Sequence, residues 1–380
     1  MALFAGSGIA IDLGSANTTI YLENEGIVLR EPTCVLMQSE FGSDVLAVGD
    51  DAYELVGRTG GKSHLEFPIM DGAVTDADLA ALVMIALCEK ATGKRRLMEK
   101  SQLIVSMSQG LTKVETEALT KAVLSTGTKR PILVKTPLAA ALGAGMPVDQ
   151  PRATMAVVLG GGTTEIAVIS SMGIVAARSM RTGSLSMDEA IVRWMRRNKN
   201  LIISLSTAED LKCDMGYAAL SGRDEEYELI PDEILESADS PENVIAVIEK
   251  PAQPPVDEEK ESAFLKGKDA KTGKPVTVEV TADEVAKALE EPVRTILDAI
   301  SDALARVPAE MASDVLETGI SLSGGGALLS GLGQLLSDTT GVPVIVGDHP
   351  HEDVILGLAR LAVEEKLLKG AMEQGSAEEI

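Results

Sequence analysis

The stretch IAIDLGSANTTIY, residues 9–21, joins a short apolar run to a second, alternating one through a turn that begins at Gly14. An apolar run of this length closed by glycine reads as a buried strand over 8–13, with a hairpin partner over 18–23. The turn Gly14-Ser15-Ala16-Asn17 has the chemistry of an anion cradle. Glycine lets the backbone approach closely, successive N–H groups point at the anion, and hydroxyls add donors without charge. Asp12, at the end of the strand beside that turn, suits the water shell of Mg2+, a cation that keeps oxygen ligands and waters; as an alternative it caps the turn.

The arrangement occurs twice. Ala153–Leu159 runs into Gly160-Gly161-Gly162-Thr163-Thr164-Glu165, and Ile166–Ser170 forms the returning strand. Each lobe of the protein then owns one such hairpin, and the two face each other across a cleft. A third glycine turn, Gly324-Gly325-Gly326, follows another short apolar strand and precedes a helix expected over Ala327–Leu336. One glycine hairpin alone is more often structural than functional, but two matching copies with a third turn favour phosphate clamping. No Gly-Lys-Ser/Thr follows the glycines, so these are not P-loops. Strands rather than helices follow the first two turns, which excludes the dinucleotide fingerprint. Glu165 is expected to point along the strand face away from phosphate.

Around these turns, strands are expected over 26–30, 33–37, 45–48, 102–107 and 131–134. Helices are expected from Asp76, as cap, to about Lys90, over 111–126 and over 281–307. This alternation points to an α/β fold of mixed sheets with helices on their faces. A chain of 380 residues exceeds the usual size of one hydrophobic core, so two large lobes are expected. Aromatic residues make up only 2% of it, so the cores must rely on aliphatic side chains and close backbone packing.

Fifty-eight acidic residues against 34 basic ones give a formal charge of -24, which repels a nucleic-acid backbone and argues against nucleic acid as a partner. Cys34, Cys88 and Cys213 show no paired spacing and only three histidines are present, so neither a disulfide framework nor a histidine-rich metal site is expected. The start MALFAGSGIAIDLG lacks the features of a signal peptide, and no clean apolar run of about 20 residues is present. Any membrane contact is therefore expected to be peripheral, and the unpaired cysteines lead to the expectation of a cytoplasmic location. Residues 223–262 hold 14 acidic and 3 basic residues and include Pro251, Pro254 and Pro255. They read as a solvent-facing acidic insertion, with a docking tail as the alternative.

The segment Lys94-Arg95-Arg96-Leu97-Met98-Glu99-Lys100 offers two apolar side chains flanked by basic ones, a pattern suited to a membrane interface. The other reading is an ordinary charged turn with Leu97 folded inward. Membrane attachment would then rest on the apolar start Met1–Phe4 or on a partner.

Taken in order, several stretches make the chain resemble the bacterial actin MreB family over nearly its whole length. They are IAIDLGSANTTIY at 9–21, GIVLREPTCV at 26–35, VGRTGG at 56–61 and PIMDGAVTD at 68–76, then PLAAALGAGMPV at 137–148, GGGTTEIAVIS at 160–170, TAEDLKCDMG at 207–216 and GISLSGGGALLSGL at 319–332. The resemblance implies an actin-like, ribonuclease H-like fold of two lobes and four subdomains around a central nucleotide cleft. The first lobe would span 1–145, with a small subdomain at about 34–75. The second would span 146–345, with a small subdomain at about 185–280 that carries the insertion, and 346–380 would return to the first lobe.

Also implied are ATP or ADP with Mg2+ in the cleft, self-assembly into protofilaments on the inner membrane surface, and cell-elongation proteins as partners. By matching positions, Asp12 is the metal-side aspartate, Gly14–Asn17 the first phosphate loop, Gly160–Thr163 the second, and Gly324–Gly326 the adenosine-side loop. Glu209 and Lys212 match the helix that flanks base and ribose. A membrane-inserting loop in relatives lies near Leu97 and Met98.

Three positions depart from the family pattern. Thr136 stands where relatives place the glutamate that positions attacking water, and a hydroxyl is no carboxylate base. Val158 replaces the aspartate before the second phosphate loop, and Ser184 replaces an acidic residue. The expectation is a membrane-associated actin-like filament protein for cell shape or intracellular organisation that binds ATP and hydrolyses it weakly or not at all. The alternative is a nonhydrolysing regulator that caps or copolymerises with an intact homologue.

Overall fold

The computed structural model describes residues 8–38, 44–55, 63–94, 97–220 and 262–380. The expected acidic insertion, the start Met1–Phe4 and the charges Arg95 and Arg96 lie outside these residues. By their contacts the residues divide into two units. The larger comprises Met1–Met187, Thr295–Leu328 and Leu336–Ile380, the smaller Asp188–Arg294 and Leu329–Leu335.

Two large sheets form the frame of the larger unit. The first has six strands in the order Ala377–Glu379, Pro131–Lys135, Gln102–Met107, Gly8–Leu13, Asn17–Leu22 and Gly26–Pro32. Gly8–Leu13 pairs antiparallel with Asn17–Leu22 and parallel with Gln102–Met107, so the hairpin read in residues 9–21 sits inside the sheet. The second has five strands in the order Gly173–Met180, Thr164–Ser170, Thr154–Leu159, Ile320–Ser323 and Val344–Ile345. Its first three strands form an antiparallel meander and its last two join in parallel. Val35–Gln38, Val45–Val48 and Ser63–Glu66 form a smaller sheet, and Ile69–Met70 and Ala73–Val74 form a short pair.

Helix ends follow their sequence signals. Asp76 accepts from the backbone N–H groups of Asp78 and Leu79 at the start of the helix Ala77–Thr92, and Thr112 with Glu115 closes a capping box at the start of Lys113–Ser125. The expected helix over Ala327–Leu336 is not continuous. A short 3-10 turn at Gly325–Leu328 is followed by Gly331 at φ 74°, and the α-helix starts at Leu332 and ends at Thr340. A left-handed glycine ends one turn and lets the next begin in a new direction.

One core cluster of this unit joins Ala10, Ile104 and Val134 of the first sheet to Ala156, Ala167 and Ile169 of the second through the helices Thr136–Gly143 and Asp353–Val363. Ala139, Ala140 and Ala141 are wholly buried there, and a Cβ on Gly357 would overlap the Ala139 carbonyl. Small side chains thus let the two helices approach backbone to backbone, which is how a chain nearly free of aromatic residues fills its interior.

In the smaller unit, Leu201–Ile202, Ser262–Asp269 and Pro275–Thr281 form a sheet. The helix Leu205–Met215 is capped by Ser204, whose hydroxyl accepts from the Thr207 N–H. Ion pairs Lys199–Glu284 at 2.6 Å and Lys212–Asp188 at 2.7 Å tie the unit's elements together.

Candidate functional site

A cavity of the larger unit collects most of the residues singled out in sequence. Asp12, Gly14, Ser15, Ala16, Asn17, Thr136, Val158, Gly160, Gly161, Gly162, Thr163, Gly324 and Gly325 all line it. The first and second glycine turns touch. A Cβ on Gly161 would come within 2.6 Å of Ala16 Cβ, and one on Gly162 within 2.8 Å of Ser15 Oγ. Glycine at both positions is therefore a packing requirement of the opposed turns as well as a route for phosphate to reach the backbone.

Local hydrogen bonds hold the walls. Ser106 Oγ donates to Asp12 Oδ1 at 2.8 Å and accepts from the Leu13 N–H at 3.0 Å. Ser15 Oγ accepts from the Gly72 N–H at 2.9 Å. The carbonyls of Gly160 and Gly161 accept from the Ser184 and Leu185 N–H groups, which begin the helix Ser184–Asn198. In the third turn Gly324 sits at φ 90°, its N–H donates to the Pro350 carbonyl at 2.7 Å, and Ser323 Oγ donates to Asp353 Oδ2 at 2.6 Å. Gly326 is not part of the cavity wall. A Cβ there would overlap the Leu159 side chain, so this glycine serves packing.

Glu165 corrects the expectation that it points away. It lines the cavity, is 3% exposed, and accepts from the Gln109 N–H at 2.7 Å and from Thr163 Oγ1 at 3.4 Å. Burial pushes its carboxyl up to about 7, with the nearby Asp12 adding to the rise. Asp12 is itself raised by burial, while the Ser106 hydrogen bond and the charge of Arg30 pull it back. The strand Thr164–Ser170 is buried on both faces, so alternation of polar and apolar residues could not reveal which side chains meet the cavity. Arg30, Thr19 and His351 were likewise not singled out by sequence, yet all three belong to the wall.

The acids present bear on whether a metal fits. Mg2+ is usually held by one or two carboxylates together with waters and substrate phosphates. Asp12 supplies one carboxylate, Val158 supplies none, and Glu165 is raised towards neutrality. Among the described residues no group of three or more His, Cys, Asp or Glu is placed to hold a metal ion. The cavity fits a cation that arrives with phosphates and does not fit a resident one.

Two expected site groups are not among the residues that line this cavity. Glu209 and Lys212 belong to the smaller unit, where Glu209 is exposed and the Lys212 ammonium pairs with Asp188. Burial raises the Asp188 carboxyl to about 6, against the lowering effect of Lys212. Burial weighs against the membrane reading of Leu97 and Met98. Met98 is 3% exposed within a core cluster with Met84, Leu87 and Val123, and Leu97 packs against the same cluster. A short 3-10 turn at Met98–Lys100 sets these side chains against residues of the helices Ala77–Thr92 and Lys113–Ser125, in keeping with the inward alternative. No helix among the described residues is long and apolar enough to cross a membrane.

The model of the MreB/Mbl protein family matches residues 6–244 and 242–370. The cell shape-determining protein MreB of Escherichia coli K12 is 35% identical over 345 residues, covering 90% of this chain and 89% of that protein. The cell shape-determining protein Mbl of Bacillus subtilis 168 is 34% identical over 349 residues, covering 92% and 93%. In structure, MreB5 of Spiroplasma citri bound to AMPPNP superposes with a TM-score of 0.80 at 26% identity, over 98% of this chain and 99% of that one. A MamK double helical filament matches with a TM-score of 0.69 at 17% identity, over 94% and 99%, which supports the actin-like fold.

Proposed function

Because the chain belongs to the MreB/Mbl family of actin-like cytoskeletal proteins, we propose that it binds ATP or ADP in the cavity between its two glycine hairpins and assembles with copies of itself into filaments. The observation that carries this reading is the meeting of three glycine turns with Asp12 on one cavity. The N–H groups of Gly14 and Gly160 close the two turns onto the Asn17 and Thr163 carbonyls, so backbone N–H groups of Ser15–Asn17 and Gly161–Thr163 would hold phosphate oxygens, with the hydroxyls of Ser15 and Thr163 beside them. The Spiroplasma citri relative, described bound to AMPPNP and to ADP, supports a nucleotide as the ligand. Asp12 is the residue that would meet the water shell of Mg2+ carried in by the phosphates.

The same cavity disfavours hydrolysis. Thr136 opens the helix Thr136–Gly143 and presents a hydroxyl where a carboxylate would orient and polarise water. Val158 adds no charge. Glu165 remains as the second acid, raised towards neutrality and engaged with the Gln109 N–H. Turnover is therefore slow or nil, and nucleotide acts mainly as a ligand that sets the assembly-competent state. The neutral side chains at 136 and 158 equally favour a second reading, a nonhydrolysing actin-like regulator that caps or copolymerises with an intact homologue.

In the cell the protein would sit in the cytoplasm, peripheral to the inner face of the membrane, with cell-elongation proteins as partners. With Leu97 and Met98 packed inward, the contact would run through Met1–Phe4 or through a partner. Pelleting and electron microscopy of the purified chain with ATP, with ADP and without nucleotide test the assignment. Filaments that need nucleotide support it, and a chain that pellets only together with a homologue selects the regulator.

A further inference from the structure

Three adjacent strands of the first sheet carry a row of side chains into the cavity. Asp12 pairs in register with Thr19, and Thr19 with Arg30, and all three line the wall. Cross-strand neighbours on one face lie about 5 Å apart, so the row spans two such steps and the long arginine side chain reaches back over it. Arg30 and His351 line the same cavity as Asp12, and the charge of Arg30 lowers the pKa of both Asp12 and His351. Yet Arg30 forms no ion pair and no side-chain hydrogen bond with any described residue, and it remains exposed on the cavity side.

His351 belongs to the same wall, in the segment between the third glycine turn and the helix Asp353–Val363. Its Nδ1 is buried and makes no hydrogen bond with a described residue. Its Nε2 lies 3.7 Å from Glu352 Oε1, and its ring meets His349 edge to face at 6.0 Å.

The charges of the wall are then unusual for a site that depends on a divalent cation. Two acids raised by burial, Asp12 and Glu165, share the wall with one permanent cation, Arg30, while Thr136 and Val158 are neutral. A guanidinium is planar, stays charged, and donates two parallel hydrogen bonds to phosphate, so it neutralises phosphate charge without a metal. Building on the nucleotide reading above, we propose that Arg30 and His351 are phosphate-binding residues of this cavity. Arg30 supplies part of the positive charge that Mg2+ would otherwise bring and His351 offers a neutral ring beside it, so that the chain holds the terminal phosphate of a nucleoside di- or triphosphate in the absence of a divalent cation.

The test is calorimetric titration of the full-length chain with ADP and with ATP, in Mg2+ and in excess EDTA. The variants are Arg30→Gln, Arg30→Lys and His351→Gln. The wild type should keep most of its affinity in EDTA. Arg30→Gln should lose about tenfold there, the scale of one charge-assisted hydrogen bond, and less in Mg2+. Arg30→Lys should recover part of the loss, since charge returns without the fork, and His351→Gln should weaken binding by a smaller factor. Because Arg30 is exposed, unchanged melting of Arg30→Gln checks that the fold is intact. A wild type that binds only with Mg2+ and is indifferent to Arg30→Gln overturns the proposal alone. A wild type that binds neither nucleotide in either condition overturns the nucleotide reading and the proposal with it.

Discussion

Val158 lies directly across the second hairpin from Glu165, and both side chains reach the cavity wall that Asp12 shares. A carboxylate at 158 would stand beside a raised glutamate and a buried aspartate, and the valine spares the fold that third acid. Val158→Asp should therefore lower stability without ligand by about 1–3 kcal/mol, as a buried acid among acids does. Saturating Mg2+-nucleotide should return much of the loss. Melting curves with and without ligand measure both effects.

Glu165 makes stability depend on pH in a stated direction. Its folded pKa of about 7 lies above the ordinary value of 4.5, so the folded state holds an extra proton between them. The contribution is fully present below the unfolded value and is lost as pH rises through the folded one. Glu165→Gln removes this loss while keeping an acceptor for the Gln109 N–H. The melting temperature of the variant relative to wild type should rise from about pH 5 to about pH 8, by a few degrees. A difference that stays flat across that window contradicts the assignment.

Gly161 tests the contact between the two turns. In Gly161→Ala the new methyl meets Ala16 Cβ, an atom that cannot rotate aside, so the turns must separate. A stability loss of about 1–3 kcal/mol is expected from overpacking. Nucleotide affinity should fall together with it, as read by titration.

Leu97 and Met98 now predict a defect of folding rather than of lipid binding. Replacing both with serine should cost about 2–4 kcal/mol, chiefly through truncation of the buried Met98. Binding to anionic liposomes, measured below the melting temperature of the variant, should stay unchanged. Loss of lipid binding without loss of stability would restore the membrane role.

Much of the site was legible because it is made of local patterns. A buried strand, a glycine turn and a returning strand are contiguous in the chain, so Asp12, Gly14–Asn17 and Gly160–Thr163 could be read directly. What escaped depends on pairing or packing between distant segments. Arg30 reaches the cavity through its register with Thr19, and Glu165 through a strand buried on both faces. Met98 is surrounded by charge in sequence, but sequence neighbours do not decide which way a side chain on a short turn points. The break at Gly331 was also hidden, since apolar spacing over Ala327–Leu336 suits a helix whatever φ the glycine adopts.

Phosphate release and pelleted fraction, followed in one reaction with ATP and Mg2+, bear most directly on the proposal of an actin-like filament protein whose nucleotide is bound more than it is consumed. The expected result is nucleotide-dependent pelleting while phosphate appears far more slowly than with the Escherichia coli relative under the same conditions, and a faster rate when Thr136→Glu and Val158→Asp are combined. Phosphate release matching that relative in the wild type, or pelleting that ignores nucleotide altogether, would contradict it.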